Sequence, residues 1–191
     1  TTTLVAERHV AGLGLPSLGM GPVSGTTGTA DVPFAQLAKL ETGISVKENV
    51  RVAILPDAAL QRADGVLGAN IFAGQRLLFD IQRKLVRVEG SKSSKRLNSR
   101  SSKIFLRDGL LAQIEGRVGS VRAKLMLDTG AHNCIVNLPL SEALRKVHPG
   151  LKRAEGVEVF GITGHMMAGE FIALPRVSMN ALDVAGVVGV G

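Results

Sequence analysis

The amino-acid sequence predicts a mainly β protein built as two units. Three observations point there. Apolar and polar residues alternate over several short stretches, the period of a half-buried strand. Connections rich in Gly, Ser and Thr separate those stretches at hairpin spacing. A basic, Ser-rich segment at 90–102, almost devoid of apolar side chains, interrupts the pattern near the middle. With 191 residues, 45% hydrophobic and 20% charged, the composition is that of one large or two small folded domains and excludes a wholly disordered chain. No uninterrupted apolar run approaches the roughly 18 residues of a membrane helix.

Along the first unit, 1–89, Leu4 to Leu13 is expected to form a short helix, and residues 19–30 read as turn or flap material. Ile44, Val46, Val50, Val52 and Ile54 alternate as a half-buried strand, and Pro56-Asp57 opens a loop. After the string Asp64-Gly65-Val66-Leu67-Gly68-Ala69-Asn70-Ile71-Phe72, two strands, Leu77–Ile81 and Leu85–Val88, flank a turn at Gln82-Arg83-Lys84.

The second unit, 103–191, opens with a hairpin whose turn is expected across Glu115–Ser120. Its second arm, Val121 to Leu127, points Arg122 and Lys124 outward. Ile135-Val136-Asn137 follows, then a helix from about Ser141, a fair N-cap, to Val147. Val157–Phe160 and Phe171–Leu174 form a second hairpin around Gly161-Ile162-Thr163-Gly164. Ala185–Gly191 fits either an inner strand or a shortened copy of Gly65-Val66-Leu67-Gly68.

Charge and composition exclude several functions. The net charge of +7 is local: residues 83–107 hold nine basic groups and one acid, which leaves the rest near neutral. A basic face spread over the fold, as nucleic-acid binding requires, is not supported. With no Trp or Tyr and six Phe, base-stacking platforms are scarce. The lone Cys134 excludes an internal disulfide framework and any multi-cysteine zinc site, and the four dispersed histidines lack metal-ligand spacing. Residues 1–7 lack the basic-then-apolar plan of a signal peptide, so any targeting segment is expected to have been removed or never to have existed. The 90–102 segment reads as a solvated linker, and trypsin is expected to cut there first, leaving two fragments near the unit sizes. Native-state resistance to trypsin would mean the boundary is misplaced.

The string that carries chemistry is Leu125-Met126-Leu127-Asp128-Thr129-Gly130-Ala131. An alternating strand delivers the Asp, a tight Gly turn follows, and a second apolar strand leaves at Ile135. Such a loop holds a carboxylate at a strand end, supported by a Thr hydroxyl and backbone N–H groups. Two such carboxylates about 3 Å apart cannot both ionise and share one proton. One can then act as base on a water while the other polarises a carbonyl.

Here the sequence resembles the retropepsin-like aspartic proteases. The resemblance rests on A-K-L-M-L-D-T-G-A at 123–131, a hairpin V-F-G-I-T-G-H at 159–165, and V-L-G-A-N-I-F at 66–72 followed by L-F-D-I-Q-R-K-L-V-R-V at 78–88. It implies pepsin-like closed β-lobes with one or two short helices, in two tandem copies that are each incomplete in this chain. The first copy shows the later part of the family's order, and the second the earlier part. Matching Thr3-Leu4-Val5 to Cys134-Ile135-Val136 puts the first copy's D-T-G just before Thr1. A fragment, a processed form and the ordered part of a longer protein all fit that order. The resemblance further implies an aspartic endopeptidase with Asp128 catalytic and with no metal or organic cofactor. Thr129, Gly130 and Ala131 would support the loop, and Gly161, Ile162, Thr163, Gly164 and His165 would form a flap over an extended peptide substrate. A homodimer or an intramolecular pseudo-dimer would supply the second Asp. The likeness to tandem bacterial members leans towards a periplasmic or secreted location.

Other residues weigh less. Asp64 and Asp108 precede Gly and read as turn residues, and Asp80 as a structural strand-end carboxylate. His132 and Cys134 lack an orienting Asn or Asp, so Cys134 reads as a small core residue. Met166 and Met167 near the flap read as packing or exposed side chains. Two other functions stay open: a protease-like binding or dimerisation module with a vestigial site, and a tether held on anions through residues 83–107.

Overall fold

A computed structural model describes residues 2–43, 45–60, 63–90, 104–107, 111–180 and 182–191. Contacts divide the chain into Thr1–Arg96 with Gly161–His165, and Leu97–Phe160 with Met166–Gly191. Both are mainly β. Apart from Gly90, the linker expected at 90–102 lies outside the described residues, as do Ile44 and Asp108.

In the first unit, strand β1 (Thr3–Ala6) runs directly into a one-turn helix, α1 (Glu7–Val10). The helix expected over 4–13 is therefore a strand at its start, because Leu4 and Ala6 enter the core and β1 is paired along its length. Strands β2 (Ser17–Gly25) and β3 (Gly28–Glu41) form a long hairpin, so most of the turn-like 19–30 stretch is paired strand. Strand β4 (Val46–Leu55) pairs antiparallel with β3 and parallel with β1. A single helical turn, α2 (Asp57–Leu60), replaces the loop expected after Pro56. Strand β5 (Gly65–Val66) lies antiparallel on the outer edge of β1, giving the order β2-β3-β4-β1-β5. A 3-10 turn at Ala69–Phe72 leads to β6 (Gln75–Asp80) and β7 (Leu85–Gly90), a separate antiparallel pair.

The β4 pattern predicted one buried face. The strand is buried on both. Ala53 and Leu55 pack with Leu4, Ala6, Val23, Val32, Phe34 and Leu60, while Val50 and Val52 pack with Ile71. A strand whose two sheet faces are both covered carries apolar residues on each, so its middle reads as a continuous apolar run rather than an alternation. Each fully buried Val or Leu contributes roughly 1.5–3 kcal/mol.

In the second unit, β8 (Phe105–Arg107), β9 (Leu111–Val118) and β10 (Val121–Met126) make one sheet with β14 (Val177–Met179) and β15 (Leu182–Val184). The β9–β10 turn is Gly119-Ser120 alone, narrower than expected. Val118 is 2% exposed, and keeping it paired and buried extends the strand to the turn. After β10 come β11 (Cys134–Ile135) and helix α3 (Leu138–Val147). Then β12 (Arg153–Phe160) and β13 (Met166–Ala173) pair as a hairpin, and β16 (Val188–Val190) completes a sheet in the order β11-β16-β13-β12. Helix α3 starts three residues before the expected Ser141. Asn137 is the cap, its side chain accepting the Leu140 N–H at 3.2 Å, and Pro139 sits in the first turn. Ser141 is instead buried, its hydroxyl accepting a hydrogen bond from Arg153.

Gly119 has φ 59°, and a Cβ there would fall 2.6 Å from His148 Nε2 and 3.0 Å from Pro175 Cβ. Gly119→Ala is expected to cost about 1–3 kcal/mol by urea unfolding. A loss under about 0.5 kcal/mol would mean that the turn adapts.

The two units repeat one pairing scheme. In β2-β3-β4-β1 and in β12-β13-β16-β11, a hairpin pairs antiparallel with a third strand, which lies parallel to the strand entering a helix. The register agrees. Leu4, Ala53 and Phe34 stand opposite one another across β1, β4 and β3. Ile135, Val190 and Phe171 do so across β11, β16 and β13. Ala6 occupies the N-cap position of α1 as Asn137 does that of α3, so Thr3 corresponds to Cys134. The final stretch is thus an inner strand, equivalent to the end of β4.

Candidate functional site

Pairing continues one residue beyond β10, since the Leu127 N–H donates to the Ala112 carbonyl at 2.9 Å. The chain then turns at Asp128, whose Oδ1 accepts the Gly130 N–H at 2.8 Å. This side-chain turn is the local reason that Asp and Gly stand two apart: the carboxylate replaces a backbone acceptor and fixes the loop. Asp128, Thr129, Gly130 and Ala131 are all exposed. On the far side the loop is held by β11 and by the Val136 N–H, which donates to the Val190 carbonyl at 2.7 Å. A carboxylate on a loop anchored by strands at both ends meets water in a defined orientation, which general acid–base chemistry requires.

The residues expected to form the flap connect β12 to β13. The Gly161 N–H donates to the His165 carbonyl and the Gly164 N–H to the Gly161 carbonyl, both at 3.0 Å, with Gly164 at φ 78°. Thr163 Oγ1 and His165 Nδ1 are 3.0 Å apart. Ile162 is half-buried and His165 exposed, and Met166 and Met167 are exposed beside them. Gly156, at φ 93°, sits at the β12 bulge opposite β13.

Cys134 is exposed, not a core residue. The reason is topological: β11 is the edge of its sheet, with no strand beyond it among the described residues. His132 is exposed as well. Among the described residues, no three His, Cys, Asp or Glu side chains converge as a metal site.

Three clusters were not legible in the sequence. Thr3, 1% exposed, accepts the Gly68 N–H and donates to Asn70 Oδ1, each at 3.1 Å, so it ties β1 to the apolar-Gly-Ala-Asn string. Asp64 does more than turn the chain. Its carboxylate accepts from Arg8 Nη2 and meets His9 Nε2, both at 2.7 Å, while its carbonyl accepts the Ala6 N–H. The Arg8 hydrogen bond, then that of His9, hold the Asp64 carboxyl below its ordinary range. Glu170 on β13 binds Arg153 of β12 and, at 2.6 Å, Arg145 of α3. A Thr leading directly into the apolar Leu4-Val5-Ala6 was a usable signal for the first. The other two join positions far apart in sequence, which no local pattern marks.

Neither a protein-family model nor a curated protein sequence matches the chain. Among the described residues, no helix is long and apolar enough to cross a membrane.

Proposed function

We propose that this chain carries one catalytic loop of an aspartic endopeptidase of retropepsin type, with Asp128 as one member of a carboxylate dyad. The observation that carries the reading is the Asp128-Thr129-Gly130 loop itself. Its carboxylate is set by the Gly130 N–H between two paired strands, and a strand-and-helix exit follows it. The repeated pairing scheme supports the reading of tandem lobes, and the tight Gly161–His165 turn joining β12 to β13 supports its reading as a flap.

In the proposed reaction, Asp128 and a second Asp share one proton. The ionised member takes a proton from a water, which attacks the scissile carbonyl carbon. The protonated member hydrogen-bonds the carbonyl oxygen as negative charge develops there. Collapse of the tetrahedral intermediate breaks the C–N bond as the amine gains a proton. The substrate lies extended beneath the flap, recognised by main-chain hydrogen bonds.

The second carboxylate has a specific expected source. Asp128 stands six residues before Cys134, so the matching position stands six before Thr3, upstream of Thr1. This favours an intramolecular pseudo-dimer over a homodimer. Residues 1–191 alone are then expected to be inactive, and pepstatin-sensitive cleavage at acid pH is expected once the upstream segment is joined. Cleavage by 1–191 alone that is lost on dilution would replace this with a two-fold dimer of Asp128 loops. No cleavage with the upstream segment present would favour a vestigial, binding module.

A further inference from the structure

Strands β6 and β7 pair with each other and with no further strand among the described residues. A lone two-stranded hairpin is marginal in water and gains stability from a surface to pack on. Near its base Leu77 and Val88 stand opposite each other and are half-buried. Beyond them the hairpin is apolar and open on both faces. Phe79 and Val86 face each other on one side, and Leu78 and Leu85 lie on the other. All four are exposed, and Ile81, the first residue of the turn, is 80% exposed. Large apolar side chains this close together form a patch, unlike singly scattered ones. The β2–β3 and β9–β10 hairpins turn instead through Thr26-Thr27 and Gly119-Ser120.

The tip is held in shape. Asp80 Oδ1 accepts the Arg83 N–H at 3.0 Å, and the Ile81 carbonyl accepts the Lys84 N–H at 3.3 Å. Charge surrounds it. Residues 75–90 set Arg76, Arg83, Lys84 and Arg87 against Asp80 and Glu89, a net +2. Glu89 lies near the base, 3.7 Å from Arg76 and 3.8 Å from Arg87. At the tip, Arg83 keeps 82% of its side chain exposed although it pairs with Asp80, and Lys84 is exposed beside it.

We propose that the β6–β7 tip is a surface anchor that enters the headgroup region of an anionic lipid bilayer. Phe79, Ile81 and Val86 reach the acyl boundary, and Arg83 and Lys84 meet lipid phosphates. Three features select this occupant. A tip that is apolar on both faces suits a medium that surrounds it, whereas a packed protein surface covers one face. Two strand residues separate Ile81 from Phe79, about 7 Å of chain, which matches the roughly 5–10 Å to which interfacial segments bury their apolar side. Long Arg and Lys stems lie along apolar surface while their charges reach back to the headgroups, where an anionic leaflet attracts them. That charge also disfavours a second copy of the hairpin, which would bring like cations together. The anchor does not span the bilayer, and it does not depend on the chemistry of Asp128.

The test is co-sedimentation of residues 1–191 with vesicles of phosphatidylcholine alone, or mixed equally with phosphatidylglycerol, at physiological ionic strength. Binding at least about tenfold tighter to the mixed vesicles is expected. Ile81→Ser should weaken it about tenfold, with unchanged thermal unfolding because the side chain is exposed. The pair Arg83→Gln and Lys84→Gln should weaken it by a similar factor and flatten its salt dependence. Ile81→Trp places a single Trp in a chain that has none. Its emission should shift to the blue on the mixed vesicles and be quenched by bromine on the lipid acyl chains. No binding, or equal binding to both vesicles, would overturn the proposal. Binding that Ile81→Ser leaves unchanged, or an emission that does not shift, would reduce the contact to charge alone and overturn it too. Self-association of the free chain that Ile81→Ser abolishes would assign the tip to a second copy, with the same consequence.

Discussion

Asp128→Asn is expected to lower peptide cleavage by at least about a thousandfold in the protein that holds both Asp loops, with almost no change in thermal unfolding. Asn keeps the shape of the side chain, and its Oδ1 can still accept the Gly130 N–H that fixes the loop. Asn cannot share the dyad proton or take one from water. Asp128 is exposed, so the substitution leaves no buried group unpaired, and stability should stay within about 0.5 kcal/mol. Single-turnover cleavage of a peptide by the purified variant is the measurement. Undiminished cleavage would remove Asp128 from the mechanism. Lost cleavage together with a collapsed melt would make the residue structural.

The second large effect lies in the Arg145–Glu170–Arg153 cluster. Glu170 and Arg153 are each 17% exposed in their side chains, so Glu170→Ala strands a largely desolvated guanidinium. Arg153 also donates to the Ser141 hydroxyl and carbonyl, which joins the β12–β13 hairpin to α3. A loss of about 2–3 kcal/mol is expected in urea unfolding. Burial pushes the Glu170 carboxyl up, but hydrogen bonds from Arg145 and then Arg153, with their charges, outweigh it and leave it below its ordinary range. A carboxyl lowered in the folded state stabilises fully above its unfolded value, near 4.3 for Glu, and that contribution fades as pH falls through the folded value. The stability gap between the native chain and Glu170→Gln should therefore be widest near neutrality and shrink in acid. A gap that is constant from pH 7 to pH 3 would show that the carboxylate charge is not what holds the cluster.

These two sites show how differently residues advertise themselves. The Asp128 loop was legible because what shapes it is local. Strand, Asp, Thr and Gly occur within one short string, and the side-chain turn that fixes the carboxylate spans two residues. The hairpins at β6–β7, β9–β10 and β12–β13 were legible for the same reason, since alternation and turn residues lie side by side. Their limits were less so. Val118 belongs to a strand because of what covers it, and Asn137 won the cap over Ser141 because Ser141 was needed beneath Arg153.

By itself, the sequence determined a mainly β chain, a central compositional break, a loop able to orient a carboxylate, and the match of Thr3-Leu4-Val5 to Cys134-Ile135-Val136. The tertiary structure alone decided which strands became inner ones. Parallel pairing of β1 with β4, and of β11 with β16, joins residues about fifty positions apart. Nothing in a local pattern encodes such a partner, because its free energy comes from burying surface contributed by both segments. The same physics decided that Leu4 is buried while Ile135 is not: the two share a position in the sheet, and among the described residues only Leu4 has a strand paired to its outer edge.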